Sequence, residues 1–293
     1  MSNIEIKNIK KSYGSKIALD NVSLTIEQGK IYGLLGCNGA GKTTLLNTIT
    51  NRTFLDNGEI LINGENVHEN DKVLSTVYYM TERNLIPEDM KVKNIFKWTN
   101  EFYPKFNIEY ANKLSDKFKL NTNKKLKELS TGYKSICKII LCLSSGADFL
   151  FFDEPVLGLD AKHRDMFYKE LLILYTEKEN TIILSTHIIE EISHLLEKVI
   201  ILNDGKIIKD ETVEDLLNSA YAVSGKKDAV DKYSVDKNVI AVEILGGFKK
   251  VTISQKKTKK DMEYIKELDL EINKVELQSL FVKLTDMEVN ING

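Results

Sequence analysis

The octapeptide GCNGAGKT, Gly36 to Thr43, sits between the apolar run IYGLLG and the segment LLNTIT. It fits the pattern G-x-x-x-x-G-K-[ST] in full, after a predicted buried strand and before a predicted helix. Glycines at these spacings let backbone N–H groups converge on phosphate oxygens, and the following helix N-terminus adds favourable partial positive charge. The pattern therefore demands an α/β chain with a strand, a phosphate-binding loop and a helix in immediate succession. Gly36, Asn38, Gly39, Ala40, Gly41, Lys42, Thr43 and Thr44 are the candidate nucleotide-binding residues of this loop. Lys42 is placed to reach the β- and γ-phosphates, and Thr43 to hold Mg²⁺. Cys37 fills a free position of the pattern and is read as bland, with oxidation sensitivity as the minor reading.

At 293 residues the chain can bury a sizeable core as one large domain or two. A net charge of -2 leaves no overall basic excess, so nucleic acid is not an expected partner. Only Arg52, Arg83 and Arg164 are arginine, which makes bidentate arginine clamps scarce. Cys37, Cys137 and Cys142 include no C-x-x-C pair, which argues against a disulfide framework or a zinc site and for a reduced compartment. The stretch MSNIEIKNIK has no apolar run resembling a signal peptide, and FLFF is far too short to span a bilayer. The expectation is a cytoplasmic chain that needs a membrane-spanning partner if it works at a membrane.

Strand-like alternation opens the chain in IEIKNIKKSY and IALDNVSLTIEQGK, and returns in GEILING and STVYYM. Between about Asn84 and Ser145 the pattern turns helical and aromatic. FLFFDEP reads as a buried strand stopped by Pro155, TIILST and KVIILNDGKIIKD as further strands, and HIIEEISHLLE as a helix between them. Strands alternating with helices predict a mainly parallel sheet with helices on both faces. After Leu217 the character changes: AYAVSG and VIAVEILGGFKKVTIS read as strands, and KDMEYIKELDLEINKVELQSLFVKLTD as a closing helical segment. No internal repeat or low-complexity linker is visible. KKTKK near Lys256 reads as a solvated face, with anionic lipid headgroups as the sharper alternative.

FLFFDE puts Asp153 at the end of a buried strand, where a second Mg²⁺ contact belongs, and Glu154 one residue on, suited to orient or deprotonate an attacking water. Further motifs narrow the choice among ATPases. Tyr13 lies inside KSYGSKIALDNVSLTI, VLGLD runs from Val156 to Asp160, and LSTH carries His187. With LSTGY at Leu129 to Tyr133, the chain over about residues 3 to 217 resembles the nucleotide-binding subunits of ABC transporters.

The resemblance implies an α/β P-loop NTPase of ABC ATPase type with an N-terminal antiparallel β-subdomain, a helical insertion and a small C-terminal α/β appendage. It implies an ATPase domain at 1–217 with a helical subdomain at about 84–145, and an accessory domain at 218–293. Tyr13 would stack on adenine, Asp160 would bridge the two subunits of a dimer, and His187 would contact the γ-phosphate. LSTGY stands where the family has LSGGQ, the signature that closes on ATP held by the opposing subunit. Ser130 and Gly132 retain the hydroxyl and the close backbone approach that this contact needs. Thr131 replaces the first glycine and Tyr133 the glutamine, with Ser135 and Ile136 where many relatives have Gln-Arg. The stretch reads as a working variant.

The Q-loop glutamine of the family aligns with Glu82 in VYYMTERN, and its usual preceding proline with Thr81. A carboxylate can approach Mg²⁺ but cannot donate a hydrogen bond as an amide does. Glu82 therefore joins Thr43 and Asp153 as a candidate metal contact, and Glu154 and His187 as a candidate catalytic residue. LIPEDMKVKNIF resembles the segment that helps form the groove for a transmembrane subunit's coupling helix, while Phe96, Trp98, Phe102 and Tyr103 are expected in the core of the insertion, with groove lining as the alternative.

The ending VELQSLFVKLT resembles ATPases of ABC-2-type exporters, and LSTGYKS with DEPVLGLDAKHRDMFYK resembles Gram-positive exporter ATPases often encoded beside a GntR-type regulator and sometimes concerned with peptides. The implied protein is the ATP- and Mg²⁺-dependent subunit of an exporter, peripheral on the inner face of the cell membrane. Its partners would be a membrane-spanning permease and a second ABC ATPase subunit, same or different. The alternatives are an importer, a soluble ABC ATPase acting on ribosomes or DNA, and a regulatory subunit with a degenerate site.

Overall fold

The computed structural model describes residues 3–291, with side chains as far as Thr285. The backbone divides into two compact units, Met1–His187 with Leu202–Lys209, and Ile188–Ile201 with Asp210–Gly293. Residues 188–201 and 210–217, read from sequence as part of the ATPase domain, thus fall in the second unit.

The first unit opens with β1 (Asn3–Tyr13) and β2 (Lys16–Glu27), whose alternating apolar residues turn Ile4, Ile6, Ile9, Val22, Leu24 and Ile26 inward. With β4 (Asn57–Ile62) and β5 (Glu65–Asn66) they form an antiparallel sheet in the order β2-β1-β4-β5. The second sheet is built from β3 (Ile31–Leu35), β6 (Val77–Met80), β7 (Phe149–Asp153) and β8 (Thr181–Ser185). These four strands run in the order β3-β8-β7-β6, and the pairings among them are parallel. β3, β7 and β8 are buried at every position, as continuous apolar runs in parallel sheets require. The ends of β9 (Lys198–Asn203) and β10 (Lys206–Thr212) that belong to this unit, residues 202–209, continue it beyond β3.

Helix α1 (Lys42–Ile49) follows β3, and α6 (Ala161–Lys178) follows β7. After the short α2 (Asp71–Leu74) and β6, the chain enters a helical region of α3 (Val92–Phe102), α4 (Ile108–Lys117) and α5 (Thr131–Ser144). The four aromatics expected in its core divide. Phe96 is buried and Tyr103 half-buried, whereas Trp98 and Phe102 are 59% and 69% exposed. The helical period explains this: Val92, Ile95 and Phe96 share the inward face of α3, and residues 98 and 102 lie on the other.

The second unit contains α7 (Ile189–Ile192), α8 (Val213–Asn218) and a split βαββαβ arrangement. Its elements are β11 (Tyr221–Lys226), α9 (Lys227–Ser234), β12 (Val239–Leu245), β13 (Phe248–Ile253), α10 (Lys259–Glu267) and β14 (Glu271–Asn273). The strand order is β12-β13-β11-β14, followed by α11 (Leu277–Ile291). Tyr221, Val223, Val230, Tyr233, Val251, Ile253 and Ile265 form its core.

Two helical expectations are corrected here. HIIEEISHLLE makes a single turn, α7, because the chain turns after Ile192 and must straighten into β9. The C-terminal helical segment is interrupted by β14. Leu268 is the C-cap of α10 and Asp269 takes a left-handed φ of 53°, which ends the helix and sends Leu270 into the core before β14 begins.

Asp261 anchors this unit. Its carboxylate accepts from Thr258 N and Thr258 Oγ1, both at 2.7 Å, and from Lys237 Nζ and the Tyr233 hydroxyl. Burial works to raise its pKa, but the hydrogen bonds from Lys237 and Thr258 prevail and draw it down to about 2. A depressed folded-state pKa gives stability that is present above the unfolded value of about 3.9 and lost as pH falls through the folded one. Asp261→Asn should therefore reduce hydrogen-exchange protection of β11 and β13 at neutral pH by at least about 10-fold. The gap to the native chain should narrow steadily below about pH 4, and a gap independent of pH would remove the carboxylate from this role.

Candidate functional site

The phosphate loop leaves the C-terminal end of β3 and closes on the first turn of α1 at Gly41, whose φ is 110°. A Cβ at Gly36 would meet the Leu202 carbonyl at 2.5 Å, and one at Gly41 the Ala18 carbonyl at 2.5 Å, so both positions are closed to side chains. Ala40 is buried behind the loop and donates its N–H to the Cys37 carbonyl at 3.1 Å. Asn38, Gly39, Gly41, Lys42, Thr43 and Thr44 line a cleft of about 360 Å³. Gly36 and Ala40 shape the loop from behind rather than facing the cleft. Lys42 Nζ donates to the carbonyls of Gly36 at 2.6 Å and Cys37 at 3.3 Å. Burial lowers the pKa of its ammonium, against the opposing pull of Glu154 and Asp153.

Glu82, Asp153, Glu154 and Tyr13 enter the same cleft. Asp153 ends β7 at 2% exposure, and its Oδ2 accepts from the Thr43 hydroxyl at 2.9 Å and the Tyr79 hydroxyl at 3.1 Å. Burial and then the neighbouring Asp153 raise the Tyr79 phenol well beyond its ordinary pKa, so it remains a donor. Arg52 sits over the Tyr79 ring, 4.8 Å from its centroid.

Glu154 occupies the left-handed region at φ 49°, a conformation uncommon outside glycine, asparagine and aspartate. Its Oε2 accepts from His187 Nδ1–H at 2.9 Å and from Thr186 Oγ1 at 3.3 Å. The candidate base and the histidine after β8 are thus in direct contact, with the Glu154 side chain mostly covered and that of His187 60% exposed.

Two lysines at or beside the cleft, Lys16 and Lys138, add to the site residues expected from the sequence. Lys16 lines it, and its Nζ lies 3.8 Å from where a Gly39 Cβ would stand. Lys138 of α5 donates to the carbonyls of Thr81 at 2.9 Å and Glu82 at 2.8 Å. Its signal in the sequence is a single cation inside the apolar run ICKIILCL.

Ser130, Gly132 and Asp160 do not line this cleft. Ser130 is the N-cap of α5, its hydroxyl accepting the Tyr133 N–H at 3.4 Å. A Cβ on Gly132 would stand 2.7 Å from the Gly158 carbonyl, so the helix start and the VLGLD loop are in close backbone approach. Ser135 Oγ donates to the Leu157 carbonyl at 3.1 Å in the same contact. Asp160 caps α6, accepting the His163 N–H at 2.9 Å, and its other carboxylate oxygen lies 2.9 Å from His163 Nδ1. His163 stacks on Phe118 and meets Tyr133 edge-on with centroids 6.0 Å apart.

The donor set suits a hard cation. Thr43 Oγ1 and the buried Asp153 carboxylate touch, Glu82 lines the same cleft, and the carboxylate's partners here are neutral hydroxyls. Mg²⁺ is typically held by one or two carboxylates together with substrate phosphates, and this set fits that pattern.

The comparisons with known proteins agree with this geometry. Residues 19–157 match the family described as ABC transporter. The chain is 32% identical over 213 residues to the ABC transporter ATP-binding protein YtrB of Bacillus subtilis (strain 168), covering 73% of each chain. It is 29% identical over 265 residues to the Nod factor export ATP-binding protein I of Burkholderia lata, covering 86% of this chain and 83% of that one. Among solved structures it resembles the dimeric ATP-binding cassette MJ0796 in a post-hydrolysis state bound to ADP and Pi. There the TM-score is 0.64 at 25% identity, over 72% of this chain and 98% of that one. With the phosphate loop, the buried aspartate and the adjoining glutamate on one cleft, the chain belongs to the ABC transporter ATP-binding proteins and is an ATPase.

Proposed function

We propose that this chain is the ATP-hydrolysing subunit of a membrane exporter, peripheral on the inner face of the cell membrane. It would work with a membrane-spanning permease and a second ABC ATPase subunit. The observation that carries the reading is a division within the site: Lys42, Thr43, Asp153, Glu154 and Glu82 share one cleft, while Ser130 and Gly132 stand outside it at the start of α5. Each cleft would be completed by the signature helix of an opposing subunit, head to tail. Export as the direction draws on the similarity to the Nod factor export protein, which spans 86% of this chain and so reaches past the family match.

In this reading Tyr13 stacks on adenine through its half-exposed ring, and the loop N–H groups with Lys42 hold the β- and γ-phosphates. Thr43, Asp153 and Glu82 would hold Mg²⁺, which when bound would offset the negative charge of the phosphates. Glu154 takes a proton from water as the water oxygen bonds to the γ-phosphorus and the bond to the β–γ bridging oxygen breaks, giving ADP and phosphate. His187, held at 2.9 Å from Glu154, orients that carboxylate and faces the γ-phosphate. Ser130 and Gly132 contribute a hydroxyl and a helix N-terminus to the opposing subunit's ATP. Asp160 bridges the pair. Closure would pass through the helical region to the permease.

Glu154→Gln should lower hydrolysis by roughly 10²- to 10⁴-fold and leave ATP-dependent dimer formation intact, measured by phosphate release and sedimentation. Unchanged turnover would remove Glu154 as the base. Lys42→Ala should weaken ATP binding by about 10- to 100-fold, because it deletes a charged donor to the phosphates. Native ATP affinity in that variant would count against the phosphate-loop assignment. Tagged Glu154→Gln protein, isolated from its own cells in mild detergent with ATP, should bring down a membrane-spanning chain. Ribosomes or DNA-repair proteins in its place would overturn the transport reading.

A further inference from the structure

We propose that Lys138 is a positioning residue that ties the helix headed by Ser130 to the loop carrying Glu82 into the nucleotide cleft. The inference rests on the reading above that Glu82 serves ATP hydrolysis.

From Ser135 to Ser144 every residue of α5 is buried except Lys138, which is half-buried. A cation in such a helix face is costly unless its N–H groups find acceptors. Lys138 satisfies them with two consecutive carbonyls, Thr81 O at 2.9 Å and Glu82 O at 2.8 Å. One ammonium bound to successive carbonyls fixes both peptide planes, and with them the direction in which the Glu82 side chain leaves the backbone. That side chain lines the cleft beside Asp153 and Glu154.

The helix grips the same segment a second time. Lys134, one turn earlier on the same face, donates to Glu88 Oε1 at 2.9 Å. This second contact is exposed, with the Glu88 side chain 55% accessible, and exposed pairs contribute little. Lys138 holds two consecutive carbonyls with one ammonium, and its bond to Thr81 is partly buried, so it is the stronger tether. Between the two points the loop is closed on itself by Thr81 Oγ1, which donates to the Arg83 carbonyl at 2.7 Å.

The functional consequence follows from the continuity of α5. Ser130 caps this helix, and Lys138 lies on it two turns further along. Any shift of α5 that carries Ser130 toward or away from a nucleotide must pull on the Thr81–Glu82 peptide. Lys138 thus couples the signature serine of one site to the carboxylate of the other site within the same chain. It also gives the acidic Glu82 a fixed backbone that does not depend on amide hydrogen bonding by its side chain.

The test is a double-mutant cycle on the full chain, with kcat and KM for Mg-ATP hydrolysis measured for Lys138→Met, Glu82→Ala and the pair. Lys138→Met should lower kcat about 10-fold with KM within about 2-fold, and Lys138→Arg should recover at least about half of the loss. The double variant should be no slower than the slower single variant. Glu82→Ala with native kcat would overturn the role given to Glu82, and this proposal with it. If Glu82→Ala is slow but the two losses multiply in full, the role of Glu82 stands and that of Lys138 falls. Should Lys138→Met fail to give folded protein by circular dichroism, Lys138→Gln takes its place in the same cycle.

Discussion

Everything at the nucleotide cleft depends on the register of three buried parallel strands. Leu34 of β3 pairs with Ser185 of β8, and Ser185 in turn pairs with Asp153 of β7, so the three strands end on one row. Parallel strands all deliver their carboxyl ends to the same edge, where ligands bind in open α/β sheets. Within a few residues of that row the chain emits the phosphate loop, the Asp153–Glu154 pair and His187. Had β7 slipped by one residue, Asp153 would point to the other sheet face and lose the Thr43 hydroxyl. Because β3, β7 and β8 are buried on both faces, polarity does not choose their register, and the close packing of their apolar side chains holds the row.

The edge created in this way stores strain where the chemistry is proposed. Glu154 follows a fully buried strand and turns at once through φ 49°, at a cost of order 1–3 kcal/mol for such backbone. The turn is held by hydrogen bonds from Glu154 N to the Ser185 carbonyl at 2.8 Å and from Leu157 N to the Glu154 carbonyl at 3.3 Å. An extended residue here would carry its side chain onward along the strand; the left-handed turn brings the carboxylate round to His187 and the cleft. The strain and the contact have the same origin.

What could be read from the sequence was what local chemistry encodes. The phosphate loop, the strand ending in Asp153 and the alternation of the first strands each announce themselves within about a dozen residues, through glycine spacing or apolar periodicity. Features that depend on partners distant in sequence were harder to see. Lys16 and Lys138 matter through neighbours at residues 39 and 81–82, which no local pattern links to them. Trp98 and Phe102, expected in the core of the insertion rather than lining a groove, are turned outward by the helical period. The closing segment carries helix-forming residues on both sides of LDLEIN, and only the need to complete the sheet beside β11 makes that piece a strand.

The altered signature makes physical sense within the chain itself. Thr131 and Tyr133, the departures from the family pattern, are not turned toward the cleft that Lys42 lines. Thr131 lies against Gly158, its methyl 3.4 Å from where a Cβ would stand there, and Tyr133 meets His163, which pairs with Asp160. The substituted side chains therefore serve the packing of α5 on the loop before α6 and on α6 itself. The positions that could not change are those that chemistry and space restrict. Gly132 faces the Gly158 carbonyl at a distance no side chain tolerates, and Ser130 supplies the hydroxyl that caps the helix. A sequence can drift at residues that hold the signature helix in place while keeping those that present its N-terminus, and this chain divides along that line.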